Sequence, residues 1–204
     1  MASALSDDDD FDAADDFGAP VPVKMIIAGG FGVGKTTFVG AISEIEPLTT
    51  EAAMTNLSVG VDDRGDVTTK TTTTVAMDFG RITIDDGLVL YLFGTPGQDR
   101  FGFMWDDLVA GALGAVVLLD LGRIEDCYAA LDYFESRDVP YVVAVNQFPN
   151  RRQYSLGEVR ELLDLDESTE IVFTNATARD DVKETVLVLI DQAIARALER
   201  MTGV

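Results

Sequence analysis

Residues 29–36 read Gly-Gly-Phe-Gly-Val-Gly-Lys-Thr, directly after the apolar run Met25, Ile26, Ile27, Ala28 and before a helix-forming stretch. A G-x-x-x-x-G-K-[ST] pattern at a strand-to-helix turn is a phosphate-binding loop. Its glycines let successive backbone N–H groups turn inward, and the helix N-terminus adds positive potential. The contact run is Gly29, Gly30, Phe31, Gly32, Val33, Gly34, Lys35, Thr36 and Thr37, with Lys35 on the terminal phosphates and the Thr36 hydroxyl placed to ligate Mg²⁺. The loop fixes the ligand class and leaves the reaction open among ATPases, kinases and GTPases.

Around it, apolar runs alternate with helical spacing. Strands are expected over 23–28, 75–84, 88–93, 115–119, 141–145 and 170–173. Asp85-Asp86-Gly87 joins the second and third of these as a hairpin. Helices are expected over 36–45 and 156–163, along Ile124, Cys127, Tyr128, Leu131 and Phe134, and along Val182, Val186, Leu189, Ile190, Ala193 and Ala197. This order implies a three-layer α/β fold with a mostly parallel six-stranded sheet and one antiparallel edge strand, its ligand at the carboxyl ends of the strands.

Charge and composition narrow the classes. The chain carries 36 Asp and Glu against 15 Lys and Arg, a net charge of −21, which repels nucleic acid and anionic membrane surfaces. It has no histidine and a single Cys127, so His-dependent nucleophilic catalysis, histidine-ligated zinc and an internal disulfide are excluded. No apolar run approaches the ~18 residues of a membrane span, so a cytoplasmic protein without direct membrane insertion is expected. Seven aspartates and no base in the first 20 residues mark 1–20 as a disordered acidic arm, leaving 21–204 as one nucleotide-binding domain.

Further motifs extend the pattern. Leu92-Phe93-Gly94-Thr95-Pro96-Gly97-Gln98-Asp99-Arg100-Phe101 resembles the Asp-Thr-Ala-Gly-Gln-Glu segment of Ras-like small GTPases. The resemblance implies a Ras-like G domain in which Gly97 N–H senses the γ-phosphate of GTP and Gln98 orients the attacking water. Gly94 stands where those proteins carry an Asp that holds the Mg²⁺ shell, and either weaker metal affinity or a nearby substitute acid follows. Matching Thr74-Val75-Ala76-Met77-Asp78-Phe79 to the small-GTPase Thr-Ile-Gly-Val-Asp-Phe selects Thr74 as the second Mg²⁺ ligand, with Thr73 as runner-up. Asn146-Gln147-Phe148-Pro149 lies where the family reads guanine with Asn-Lys-x-Asp, and Asn175-Ala176-Thr177 where Ser-Ala-Lys backs the base. Pro149 cannot supply the carboxylate that pairs with guanine.

Over residues 22–200 the chain resembles most the actinobacterial conservon GTPases, the CvnD family, distant relatives of the bacterial polarity GTPase MglA; in that family a glycine at position 94 is the expected residue. The resemblance implies a signalling module with a roadblock-type protein and a sensor-kinase-like protein, and recruitment to the membrane through a partner protein. Phe101, Phe103, Met104 and Trp105 form either core or an effector surface. The leading expectation is a GTP/GDP switch with Mg²⁺ and slow hydrolysis, Phe31 crowding the approach of Gln98. A nucleotide-locked scaffold and an ATP-binding protein are the alternatives.

Overall fold

Alternation along the buried stretches of three central strands sets the layers. The computed structural model describes residues 19–46, 48–55, 72–97, 104–137 and 139–202, with backbone alone for 48–55 and 72–76. The expected acidic arm, 1–20, lies outside these residues apart from Ala19 and Pro20. The strands are β1 (Val21–Ala28), β2 (Leu48–Thr55), β3 (Thr72–Asp85), β4 (Leu88–Gly94), β5 (Ala112–Leu119), β6 (Tyr141–Asn146) and β7 (Glu170–Thr174). The helices are α1 (Lys35–Ile42), α2 (Trp105–Val109), α3 (Tyr128–Ser136), α4 (Leu156–Leu163) and α5 (Arg179–Thr202). Ile26, Ala28, Val117, Leu119, Val143 and Val145 face α2, α3 and α4, burying Trp105, Leu131, Phe134, Val159 and Leu163. Met25, Ile27, Val116, Leu118, Val142 and Ala144 face the other way onto Phe38, Val39 and Ile42 of α1 and Val182, Val186 and Leu189 of α5. Each such burial contributes about 1.5–3 kcal/mol, and strands covered on both faces need the continuous apolar runs seen here.

The sheet runs β2-β3-β4-β1-β5-β6-β7. β1 pairs in parallel with β4 and β5, and β5-β6 and β6-β7 are parallel, while β3 is antiparallel to both neighbours. The mostly parallel α/β fold with a single antiparallel strand is therefore present, with one strand more than the sequence announced. That strand, β2, pairs along β3 and displaces it from the edge. Its sequence, Leu-Thr-Thr-Glu-Ala-Ala-Met-Thr, lacks an apolar run or clean alternation, so only its pairing with the 14-residue β3 reveals it. The β3–β4 hairpin turns at Asp85, whose carboxylate accepts the Gly87 N–H at 2.8 Å. Helix α1 stops at Ile42, short of residue 45, because Ser43 turns extended and its hydroxyl accepts N–H groups from Ile45 and Arg81.

The order in which strands are added reverses at β1, since β4 and β5, both parallel to it, lie on either side of it. The carboxyl end of β1 is thus the topological switch point, where open α/β sheets bind ligands.

Candidate nucleotide site

The loop after β1 turns through left-handed backbone at Gly34 (φ 107°), which serves as the N-cap of α1 without a side-chain cap. A Cβ there would also lie 2.8 Å from Asn146 Nδ2, so glycine is needed for both backbone and space. With no acidic residue in the first turn of α1, its leading N–H groups are left for an anion.

Lys35 is 8% exposed, and its Nζ donates to the carbonyls of Gly29 at 2.8 Å and Gly30 at 2.7 Å. Burial pushes its pKa down to about 8, with the Asp78 carboxylate offsetting part of that cost. Gly97 closes over this group: a Cβ added to it would stand 2.7 Å from Lys35 Nζ and 2.9 Å from Phe31 Cα. The Phe31 side chain belongs to the rim, the residue being 67% exposed. Thr36 Oγ1 donates to Asp78 Oδ2 at 2.8 Å, while Thr37 is exposed. Thr74 lies on β3 with its backbone paired to Ala53. Gln98, Phe101 and Phe103 lie outside the described residues.

The second half of the site hangs on Asn146. Its Nδ2 donates to Val33 O at 2.9 Å, and its Oδ1 accepts the Ala176 N–H at 3.1 Å. One buried carboxamide thus ties the phosphate loop to the loop after β7. Gln147 is exposed, with its N–H on Thr174 O. Asn175 N–H meets Asp181, and Asn175 Oδ1 accepts from both the N–H and the hydroxyl of Thr177. Beside Asn146 opens a cavity of about 690 Å³, lined among others by Asp120, Gln147, Phe148, Arg151 and Phe173. Asp120 is the one acid among the described residues lining it. It accepts the Gly122 N–H and bridges Arg123 and Arg151 at 3.4 Å each.

One expectation is corrected. Trp105 is core rather than effector surface: it is 6% exposed, and its ring meets Tyr133 edge-on and stacks on Phe134. Met104 is half-buried. Spacing missed this because α2 is only five residues long and buries Trp105 and Val109 alone. Spacing also assigned no role to Asp78 or Asp120, since a single acid inside an apolar strand, or just past one, carries no motif.

A Mg²⁺ site is compatible with the donors present, since Thr36 and Asp78 bring two hard oxygens together beside the loop. Among the described residues no group of three or more His, Cys, Asp or Glu gathers to hold a metal. The remaining oxygens would have to come from phosphate and water, as is usual for Mg²⁺. Among the described residues no helix is long and apolar enough to cross a membrane.

Residues 27–196 match a family described as conserved hypothetical ATP binding protein. An uncharacterized protein of Methanocaldococcus jannaschii is 35% identical over 127 residues, which cover 61% of this chain and 70% of that protein. The cytosolic domain of the T. maritima FeoB iron transporter in a GDP form superposes with a TM-score of 0.61 at 18% identity. That match covers 86% of this chain, which spans 65% of the FeoB domain's length. The FeoB G domain alone gives a TM-score of 0.56 at 19% identity, over 83% of this chain and 99% of that domain. These structural likenesses show the fold: that of a P-loop G domain.

Proposed function

We propose, from the premise that this chain belongs to the family of conserved hypothetical ATP-binding proteins, that it is a Mg²⁺-dependent guanine-nucleotide switch with slow GTP hydrolysis. Nucleotide binding by a P-loop fold is common ground with the family. The choice of guanine and the switch are the further step. The choice of guanine rests on the resemblance to small GTPases, and the observation that supports a G-domain-like site is Asn146, whose two hydrogen bonds lock the phosphate loop to the Ala176 loop. That holds the phosphate and base ends in one register, as the resemblance to small GTPases implies.

In this reading Lys35 turns from the Gly29 and Gly30 carbonyls to the β- and γ-phosphates. Gly97 N–H meets the γ-phosphate, and Gln98 orients water for in-line attack on phosphorus, with GDP and phosphate as products. Thr36 and Thr74 would hold Mg²⁺, which when bound would supply charge neutralisation at the phosphate oxygens. The close seat of Gly97 on Lys35 and Phe31 must open to admit a γ-phosphate, and its release lets the segment settle back; this is the two-state element of a switch. Intrinsic turnover is on the order of 10⁻⁴ s⁻¹ or below, as for unassisted Ras-type hydrolysis. The conservon resemblance supports a cytoplasmic signalling module with a roadblock-type partner and a sensor-kinase-like protein, with recruitment to the membrane through a partner protein. The acidic arm is a solubilising tail.

A second reading, adenine nucleotide, is favoured by Pro149 in place of the base-reading acid and by the engagement of Asp120 with two arginines. A nucleotide-locked scaffold is a third, resting on Phe31 and Gly94. Competition of GDP against ADP, followed by single-turnover phosphate release, tests all three. The switch predicts GDP at least tenfold tighter and measurable release. Equal affinities select the ATP reading, and GTP bound without release selects the scaffold.

A further inference from the structure

The carboxylate missing at position 94 has a counterpart one strand away. Phe79 and Phe93 are partners in the β3–β4 register, so Asp78 and Gly94 stand opposite each other just beyond them. A Cβ added to Gly94 would lie 3.1 Å from both Cβ and Oδ2 of Asp78. The Asp78 side chain thus crowds the space a side chain at position 94 would enter, and would have to give by a few tenths of an ångström to admit one. It is an acid buried to 8% exposure at the end of the sheet that carries the phosphate loop. Its Oδ2 lies 2.8 Å from Thr36 Oγ1.

We propose that Asp78 supplies the acid of the Mg²⁺ shell, and that Gly94 is glycine because Asp78 occupies its place. This deepens the Mg²⁺-dependent reading above and rests on it. Octahedral Mg²⁺ with bonds of about 2.1 Å sets neighbouring oxygens about 3 Å apart, close to the Thr36–Asp78 separation. When the Thr36 proton points at Asp78, the threonine oxygen keeps its lone pairs for the cation, while the carboxylate brings the negative charge that a hydroxyl lacks. Moving the acid from β4 to β3 keeps the charge at the site.

The rival is that Asp78 merely orients Thr36. Asp78→Asn separates the two, because the amide oxygen still accepts from Thr36 but carries no charge. The measurement is release of fluorescently labelled GDP from the full chain into excess unlabelled GDP, across a Mg²⁺ series and in chelator. For wild type, chelation speeds release at least tenfold. In Asp78→Asn the Mg²⁺ concentration giving half-maximal protection, measured against that variant's own release in chelator, rises tenfold or more. The double variant Asp78→Ala with Gly94→Asp returns that concentration toward the wild-type value. A wild-type Mg²⁺ titration in Asp78→Asn overturns the role of Asp78 alone, and so does a double variant that folds and binds labelled GDP but gains no Mg²⁺ protection. Wild type that fails to hold labelled GDP, or releases it regardless of Mg²⁺, removes the underlying reading and this inference with it.

Discussion

The loop after β1 and the loop after β6 flank one site but are specified in different ways. The first is backbone: a left-handed glycine at Gly34, free N–H groups opening α1, and Lys35 threaded between two of the loop's own carbonyls. The second is side chain, and its one family-like member, Asn146, spends both hydrogen-bonding ends on the protein itself. Phosphate recognition therefore tolerates almost no sequence change, because only glycine permits the turn. Base recognition, in the proposed function, rests on side chains at a surface turn, so a residue such as Pro149 could change ligand choice without touching the core.

The largest test of that contrast is Lys35→Ala. The side chain makes its hydrogen bonds to two carbonyls of the loop itself, so its loss should leave the fold intact by circular dichroism. Removing a charge-assisted contact to two phosphates costs about 3 kcal/mol, or roughly a hundredfold, in GDP and ADP affinity alike. Unchanged affinity would break the phosphate half of the comparison. Pro149→Asp sharpens the other half. A carboxylate there should shift the GDP-to-ADP affinity ratio toward GDP by about tenfold to a hundredfold, leaving phosphate contacts alone. Competition titration reads it, and a ratio that does not move would mean that residue 149 does not face the base.

The same contrast explains what the sequence made legible. The phosphate loop, the buried strands and α4, found at Leu156–Leu163 as its periodicity indicated, are written in local signals. There Ser155 and Glu158 form a reciprocal capping box that starts the helix. The β2 strand was not legible, since Thr, Glu and Ala at its positions gain strand character only from pairing with β3. Trp105 was not, because a one-turn helix has too few residues to show a face. Asp78 was quoted within a motif, but its meaning depends on a neighbour across the ladder, Gly94, sixteen positions away in the chain. Long-range juxtaposition of this kind has no sequence period.

Lys35 also makes the phosphate half sensitive to pH. In the folded chain its pKa is lowered from 10.5 to about 8, mainly by burial. Between those values the unfolded chain keeps the proton that the folded chain has lost, so this group alone makes stability rise with pH across that window. Nucleotide has the opposite requirement, because phosphate favours the ammonium form. Binding above about pH 8 must take up a proton, and affinity should fall by up to tenfold per pH unit there, while staying flat with respect to Lys35 below about pH 7. Calorimetric titrations at pH 9 in buffers of different ionisation heat should show about one proton bound. An uptake of zero would mean that the lysine stays charged in its cage of carbonyls.

The smallest expected effect concerns Phe31, where the two accounts of slow turnover part. From sequence, a ring at this loop position crowds the approach of Gln98 to the γ-phosphate, so its removal should accelerate hydrolysis. In the structure the residue is 67% exposed, and the tight contact is instead between its Cα and the place a Gly97 side chain would take. Backbone crowding survives replacement of the ring. Phe31→Gly should accordingly leave nucleotide affinity within about twofold, since the N–H cradle involves no side chain, and single-turnover GTP hydrolysis within about threefold. Added freedom at a fifth loop glycine costs roughly 0.5 kcal/mol of order, about two- to threefold, which sets that ceiling. Acceleration of tenfold or more would restore the ring as the brake and place Gln98 on the Phe31 side of the phosphate. An unchanged rate leaves the brake with the Gly97 seat, where Gly97→Ala, pressing on Lys35 and the loop backbone, should weaken nucleotide binding more than Phe31→Gly does.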